Sequence, residues 1–487
     1  MSLKISTARN LGYTAGINVA GQILNVISLL LLANILEPRD FGIVAIAQFV
    51  LNAIVQISDL GIMSAIIHRQ DTSRKTVSTG VWIRLGFALV SYGFIALTVP
   101  LWAPVFGNAS EITGPVRIMS LIIIISGFGF ASQVKLNAGL EFKKIALAQF
   151  LQALCYAVTS LTLAFLGFAY WSIILGHVIS WIVWTGAMYA LAPVRVGLFY
   201  DRKIAGELLS YGKHVLASAL VIFAITNIDN FIIGATLGLT VLGYYDIAYR
   251  WGTLGAVQIT QVINRVMFPT YARIQNDLPL LKQAYLKTVH YVAILSIPTA
   301  LGLMAIAPEF IDHVIGDKWR PSLWPLIVLC IFGLIRSISG NSGSVFKAVG
   351  RPDLLFKISL VSLILKLIFI PIFIYLGYGI LGVAFVITST SILITQLNLY
   401  YSWSLTDTTL LDFIRAVRAP FASSLIMLTG ILLLKAITGF GGLWYVALLV
   451  LFGILVYGLA MFLLARSTAR EIMTIAGSIW RKGGFRA

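Results

Sequence analysis

The sequence predicts an all-α polytopic membrane protein, and two compositional features support this. Hydrophobic residues make up 59% of the 487 residues, and charged residues only 11%. The mean hydropathy is +0.94. An ordinary soluble protein is about 45–50% apolar, so this composition excludes a soluble enzyme, an intrinsically disordered chain and a coiled coil.

The apolar residues fall into segments that are each long enough to cross a bilayer, which takes about 20 residues of helix. Glycine, proline and charged residues separate these segments, and no domain-sized loop interrupts them. We therefore expect 14 transmembrane helices, at residues 12–36, 41–67, 78–102, 112–135, 145–167, 169–192, 214–237, 244–268, 288–312, 321–346, 354–377, 379–403, 416–436 and 443–465.

The positive charges predict the orientation of these spans. Of the 35 Lys and Arg residues, 26 lie on one side of the predicted spans and 5 on the other. Short loops rich in Lys and Arg remain in the cytoplasm. We therefore expect a protein of the cell membrane with both termini in the cytoplasm. The net charge of +17 then reflects membrane orientation, and no nucleic-acid partner is expected.

The two halves of the chain share a faint repeat at an offset of 201 residues. The residues Leu36, Gly42, Ile46 and Ala47 recur as Leu237, Gly243, Ile247 and Ala248. Many transporters contain such repeats, and their two bundles face each other across a cavity. We expect an N-terminal lobe at 1–192, a cytoplasmic linker at 193–213, a C-terminal lobe at 214–405, and two further helices with a basic tail at 406–487.

Polar side chains recur along the first, second, seventh and eighth spans. A polar group in the bilayer is costly unless it faces the bundle interior or water. Equivalent stripes in both halves therefore indicate a hydrated cavity, although hydrogen bonding between neighbouring helices is an alternative. The expected lining residues are Asn18, Gln22, Asn25, Gln48, Asn52, Gln56, Asn227, Asn230, Gln258 and Gln261.

Four cations within the predicted spans are candidates to bind a ligand. Arg336 is about 22 Å into the tenth span and Lys366 about 18 Å into the eleventh, so both lie near the middle of the membrane. Arg84 and Arg250 lie closer to the ends of their spans, where they could instead extend to the interface. Basic groups in a cavity select an anion, and arginine binds phosphate oxygens with two hydrogen bonds.

Three acids within the spans, Asp59, Asp229 and Asp246, have two interpretations. They either neutralise the cations or bind the H⁺ or Na⁺ that drives transport. Gly61, shortly after Asp59, predicts a local break in the second span. No cofactor or metal is expected, since the sequence lacks the nucleotide-binding, hydrolase and cysteine motifs that would hold one.

Short motifs over nearly the whole chain resemble those of a known family. They include Leu36-Glu-Pro-Arg-Asp-Phe-Gly-Ile-Val-Ala, Asn227-Ile-Asp-Asn-Phe-Ile-Ile-Gly, Leu242-Gly-Tyr-Tyr-Asp-Ile-Ala-Tyr-Arg and Gly316-Asp-Lys-Trp. Together they resemble the polysaccharide transporter branch of the multidrug/oligosaccharidyl-lipid/polysaccharide (MOP) exporter superfamily. Within it, the chain looks most like the exporters of colanic and teichuronic acid, which are relatives of the Wzx O-antigen flippases.

This resemblance implies two six-helix lobes in a V plus two extra C-terminal helices, with the first, second, seventh and eighth helices lining the cavity. It also implies a flippase that moves a polyprenyl-pyrophosphate-linked oligosaccharide by alternating access, for lipopolysaccharide or another surface polysaccharide. Arg250, Arg336 and Lys366 match the family's basic cavity by type. The implied partners are the lipid bilayer, a polysaccharide polymerase and glycosyltransferases.

Two alternatives to a flippase remain at this point. A cation-coupled multidrug antiporter would need an acid as its main determinant. A membrane polysaccharide polymerase or glycosyltransferase would need a sizeable loop for its acceptor, and the outer connections of this chain are short.

Overall fold

The structure is a computed structural model that describes residues 2–59, 61–69 and 71–465. The side chains of residues 2–15, 57–59, 64, 68, 211–219, 256–266 and 269 lie outside this description. Throughout the described part the regular structure is helical, and no strand occurs there.

The α-helices, in chain order, are α1 (Ser2–Ile35), α2 (Pro38–Asp59), α3 (Ile62–Arg69), α4 (Arg74–Trp102), α5 (Ala109–Phe128), α6 (Phe130–Ala138), α7 (Phe142–Phe165), α8 (Tyr170–Leu191), α9 (Arg202–Leu237), α10 (Leu239–Ile274), α11 (Leu278–Phe310), α12 (Leu323–Ser339), α13 (Ser342–Ala348), α14 (Pro352–Tyr375), α15 (Gly379–Thr406), α16 (Leu410–Thr438) and α17 (Leu443–Leu464). Short helical turns of other types cover Ala103–Phe106, Ile311–Ile315 and Asp317–Ser322.

Within the described residues, 13 helical segments are long and apolar enough to cross a membrane. This confirms the predicted all-α, multi-pass membrane protein. The predicted eighth span lies in α10, where residues 256–266 fall outside the described side chains, so α10 is not counted among the 13 segments. The total of 14 therefore stays a prediction.

Three of the predicted spans are each broken into two helices. Between α2 and α3, Gly61 has a φ of +62°, in the left-handed region that glycine adopts at little cost. This confirms the break that the sequence predicts after Asp59. The other two breaks, at Gly129 and Gly340, divide the fourth and the tenth spans, which are equivalent positions in the two halves.

The helices form two compact units, Met1–Gly243 and Tyr244–Ala487. In the first unit, α4 packs against α5, α7 against α8, and α5 against α8. In the second unit, α11 packs against α12, α14 against α15, and α12 against α15. These are the same three pairs of spans in each unit, which supports an internal duplication. In addition, α9 packs against α2, α3 and α4 within the first unit. The predicted boundaries of the two lobes stay a prediction.

A reciprocal contact within the first unit also follows the repeat. A Cβ atom on Gly42 would overlap the carbonyl oxygen of Leu239, and a Cβ atom on Gly243 would overlap that of Pro38. Pro38 and Leu239 are separated by the same offset as the two glycines. Each half of the repeat therefore makes the same close backbone contact, which only glycine allows.

A proline within a helix frees a backbone carbonyl, because proline lacks the N–H that would bond the carbonyl four residues earlier. Three of the prolines, Pro100, Pro298 and Pro420, show how such a carbonyl is satisfied. In each case a neighbouring helix supplies a donor. The carbonyl of Ala96, freed by Pro100, accepts bonds from Arg117 Nε at 2.9 Å and Nη2 at 2.6 Å. The carbonyl of Ile294, freed by Pro298, accepts a bond from the Tyr457 hydroxyl at 2.7 Å. The carbonyl of Ala416, freed by Pro420, accepts a bond from His290 Nδ1 at 2.6 Å. The last two bonds fix the C-terminal helices α16 and α17 to α11.

We expect Tyr457→Phe to lower the free energy of unfolding by about 1 kcal/mol, since the carbonyl of Ile294 loses its donor. In a Pro298→Ala background, the backbone N–H of residue 298 can bond Ile294 instead, so the same change should cost less. A double-mutant cycle of thermal or denaturant unfolding on the purified protein measures the difference. Equal costs in both backgrounds would contradict this account of the freed carbonyl.

Candidate functional site

The polar stripes predicted on α1 and α2 lie largely at exposed positions of the first unit. Gln22, Asn25, Asn52 and Gln56 are exposed, whereas Asn18 and Gln48 are half-buried. Exposed amides within a membrane span are costly unless water reaches them. Their exposure favours a hydrated surface over dry packing between helices for these four side chains.

The polar residues of α9 lie on the helix that packs against α2. Phe49 of α2 contacts the ring of Phe223 on α9, with 5.3 Å between the ring centroids. The Asn227 amide nitrogen donates to the carbonyl of Phe223 at 3.0 Å, so it is engaged within its own helix. Asn230 is half-buried, and Asp229 is only 2% exposed. Asp229 is therefore a carboxylate in the interior of the first unit.

Two arginines of the second unit are held by side chains of α10 in different ways. Arg250 Nε donates to Asp246 Oδ2 at 2.6 Å, one helical turn away. Arg336, on α12, donates from Nη1 to the hydroxyl of Tyr249 at 3.1 Å. Its guanidinium carbon lies 5.8 Å from the centroid of the Phe332 ring. The carboxylate of Asp246 offsets the charge of Arg250, whereas the partners of Arg336 among the described side chains are neutral.

A close crossing of α10 and α12 brings these side chains together. A Cβ atom on Gly333 would lie 2.5 Å from the carbonyl oxygen of Gly252, so no other residue fits there without a backbone shift. Arg336 follows Gly333 by about one helical turn, and Tyr249 precedes Gly252 by about one turn. The two glycines thus place the guanidinium of one helix beside the hydroxyl of the other.

Arg336 lies inside a membrane span, and its charge has no counterion among the described side chains. Among the side chains that the structure describes, no carboxylate oxygen lies within 4.0 Å of its nitrogens. Lys435, in contrast, lies 2.8 Å from Glu309. An unpaired cation in the bilayer is costly unless an anion or water solvates it. Arg336 is therefore a candidate to bind an anionic ligand.

The other two predicted cations lie on different helix pairs. Lys366 is 7% exposed and lies on a buried stripe of α14, which packs against α13 and α15. The guanidinium carbon of Arg84 lies 4.7 Å from the centroid of the Phe130 ring on α6. The described contacts thus join Arg336 to the helix of Arg250, and a site shared by all four predicted cations stays a prediction.

The side chains of three further predicted site residues, Asp59, Gln258 and Gln261, lie outside the described residues. One site residue was missed from the sequence. Tyr249 directly precedes Arg250 in a motif that the resemblance uses, and a hydroxyl at that depth, next to a cation, was the available signal.

An apolar groove of about 570 Å³ lies in the second unit between α10, α11 and α17. Its lining includes Trp251, Leu303, Phe310, Val446 and Leu451. Such a groove can hold a hydrocarbon chain and offers nothing to an anion. The predicted polar cavity is thus a different feature.

Comparison with known proteins gives the family. The family described as "Polysaccharide biosynthesis protein" matches residues 31–324. The chain is 26% identical to the lipopolysaccharide biosynthesis protein WzxC of Escherichia coli (strain K12) over 373 residues, which cover 76% of this chain and 75% of WzxC.

Two solved structures share the fold. The inward closed conformation of the lipid II flippase MurJ has a TM-score of 0.73 and 19% identity, and the match covers 93% of this chain and 99% of MurJ. An inward-facing multidrug resistance MATE family transporter of the MOP superfamily has a TM-score of 0.64 and 17% identity, over 82% of this chain and 99% of the transporter. The chain therefore belongs to the polysaccharide biosynthesis protein family and has the fold of the MOP superfamily.

Proposed function

We propose that the protein flips a polyprenyl-pyrophosphate-linked oligosaccharide across the cell membrane, for the synthesis of a surface polysaccharide. The observation that carries this proposal is Arg336, a half-buried cation that lacks a carboxylate partner among the described side chains. A pyrophosphate supplies the missing negative charge, and the planar guanidinium suits two phosphate oxygens. The family match and the likeness to WzxC support a substrate of this class.

The remaining features fit the parts of such a substrate. Amide side chains both donate and accept hydrogen bonds, so the exposed Asn and Gln residues of α1 and α2 are suited to sugar hydroxyls. The polyprenyl chain stays in the bilayer, and the apolar groove beside α17 can take part of it. Alternating access exposes the site first to one side of the membrane and then to the other. No covalent bond changes in this cycle.

The orientation and the driving force are part of the proposal. The excess of Lys and Arg on one side supports a cytoplasmic location for both termini. Asp229, a carboxylate buried in the first unit, is a candidate for binding H⁺ or Na⁺. A polysaccharide polymerase and glycosyltransferases would act beside the protein, because they consume and make such a substrate.

The proposal is tested by deleting the gene in its host. We expect surface polysaccharide to disappear and the lipid-linked sugar to accumulate in the cytoplasmic leaflet, where an impermeant reagent such as periodate cannot reach it in intact cells. Re-expression of the chain should reverse both effects. Unchanged surface polysaccharide together with a new sensitivity to cationic dyes would contradict the proposal and favour the multidrug antiporter.

A further inference from the structure

The linker between α8 and α9 is held firmly against the first turns of α4. The backbone N–H of Gly197 donates to Ser78 Oγ at 2.9 Å, and Trp82 Nε1 donates to the Gly197 carbonyl at 2.9 Å. The backbone N–H of Asp201 donates to Thr79 Oγ1 at 3.3 Å. This stretch therefore has a fixed path along α4.

Despite this anchoring, the linker exposes three consecutive large side chains. Leu198 is 90% exposed, Phe199 51% and Tyr200 57%. Trp82, whose ring binds the linker backbone, is 38% exposed. Tyr and Trp gather where a membrane meets water, because one part of each side chain prefers an apolar and the other a polar surrounding, whereas Leu and Phe prefer the acyl chains beside it.

Exposed cations surround these side chains. They are Arg74, Lys75, Arg195, Arg202 and Lys203. We call these five cations, together with Leu198, Phe199 and Tyr200, the linker patch. The guanidinium carbon of Arg74 lies 5.8 Å from the centroid of the Phe199 ring, so the cationic and the aromatic groups are in contact.

The linker patch keeps its positive charge. The only acid between residues 193 and 203 is Asp201, and its carboxylate accepts hydrogen bonds from the backbone N–H groups of Lys203 at 2.8 Å and Ile204 at 3.2 Å. These bonds lower the pKa of Asp201, and the bond from Ile204 has the largest effect. The carboxylate thereby caps the N-terminus of α9. Two further acids lie close by, Asp71 before α4 and Glu207 on α9, and both pair with Arg69. The five cations of the patch are thus opposed by carboxylates that already have partners.

We propose that the linker patch binds the headgroups of anionic phospholipids at the predicted cytoplasmic surface. Trp82 lies about 12 Å along α4 from Arg74, at 1.5 Å per residue, so the linker beside it lies at the depth of the membrane interface. Basic residues next to a span attract anionic lipids. Exposed apolar side chains beside them insert among the acyl chains. The proposal is independent of what the protein transports.

The test is native mass spectrometry of the full chain in detergent with added phosphatidylglycerol or phosphatidylcholine. The first variant neutralises three cations of the patch, Arg195→Gln, Arg202→Gln and Lys203→Gln. The second replaces its large side chains, Leu198→Ser, Phe199→Ser and Tyr200→Ser. The matched control neutralises three exposed cations elsewhere on the same predicted side, Lys347→Gln, Arg415→Gln and Arg418→Gln.

We expect the first variant to lose at least about tenfold in affinity for phosphatidylglycerol, because each cation near an anionic surface contributes roughly fivefold. The second variant should weaken the binding of both lipids at this site, and the control should bind phosphatidylglycerol like the parent. Both patch variants retain Asp201, which caps α9. A single symmetric peak in size-exclusion chromatography verifies that each variant is folded. Unchanged phosphatidylglycerol binding in the first variant, or an equal loss in the control, overturns the proposal.

Discussion

Arg336→Ala should lower the transport of the lipid-linked sugar roughly ten- to a hundredfold, the effect of losing one or two charge-assisted hydrogen bonds to phosphate. The hydrogen-bond partner found for Arg336 in the described part of the chain is the hydroxyl of Tyr249, so the fold should persist without the guanidinium. The measurement is surface polysaccharide in a deletion strain that carries the variant, normalised to the amount of protein in the membrane.

Three further variants give this experiment its controls. Arg336→Lys keeps the charge but loses the planar fork, so it should restore transport only in part. Tyr249→Phe removes the hydrogen bond that orients the guanidinium, and its effect should be smaller than that of Arg336→Ala. Arg320→Ala, at an exposed cation paired with Asp312 at 3.0 Å, should leave transport unchanged. Full transport by Arg336→Ala would remove this arginine from the site.

Gly42→Ala and Gly243→Ala should each lower the free energy of unfolding by about 3 kcal/mol or more. The added methyl group would overlap a backbone carbonyl, which cannot rotate away as a flexible side chain can. Since the contact is reciprocal, the two variants should lose similar amounts of stability. The measurement is the thermal unfolding of the detergent-solubilised protein, followed by size-exclusion chromatography of the heated samples.

Two glycines of α4 provide matched controls for the same substitution. A Cβ atom on Gly86 or Gly93 would meet nothing within 4 Å. Alanine costs less backbone entropy than glycine within a helix, so these two variants should gain about 0.5–1 kcal/mol. A Gly42→Ala protein as heat-stable as Gly86→Ala would show that the close contact with Leu239 does not exist in the folded protein.

Much of the fold is predictable from the sequence because a bilayer restricts the chain so strongly. A spanning helix must be apolar over about 20 residues and must satisfy its own backbone, so composition alone places most of the helices. The break at Gly61 was also predictable, since this glycine comes two residues after Asp59, the last residue of a polar stripe. The break at Gly129 was not predicted because apolar residues flank it on both sides. The break at Gly340 was also not predicted, although the stretch Ser339-Gly-Asn-Ser-Gly-Ser was a signal for it.

The candidate site was predictable only in part. The depth of Arg336 in its span identifies it as a costly cation, and helical periodicity places Asp246 and Arg250 on one face. Periodicity does not tell which helix packs on that face. For this reason the pairing of Arg336 with Tyr249, and the burial of Lys366 on a packed stripe of α14, became visible only in the structure.

The reciprocal contact of Gly42 and Gly243 bears on how the chain evolved. In a homodimer of a half-length ancestor, a two-fold axis would have generated both contacts from a single glycine codon. Once the two copies were fused into one gene, each codon could mutate separately, yet the loss of either glycine would break a contact that the other cannot replace. Selection then preserves both glycines while the surrounding sequences diverge, which leaves a few matching letters as the trace of an ancient symmetry.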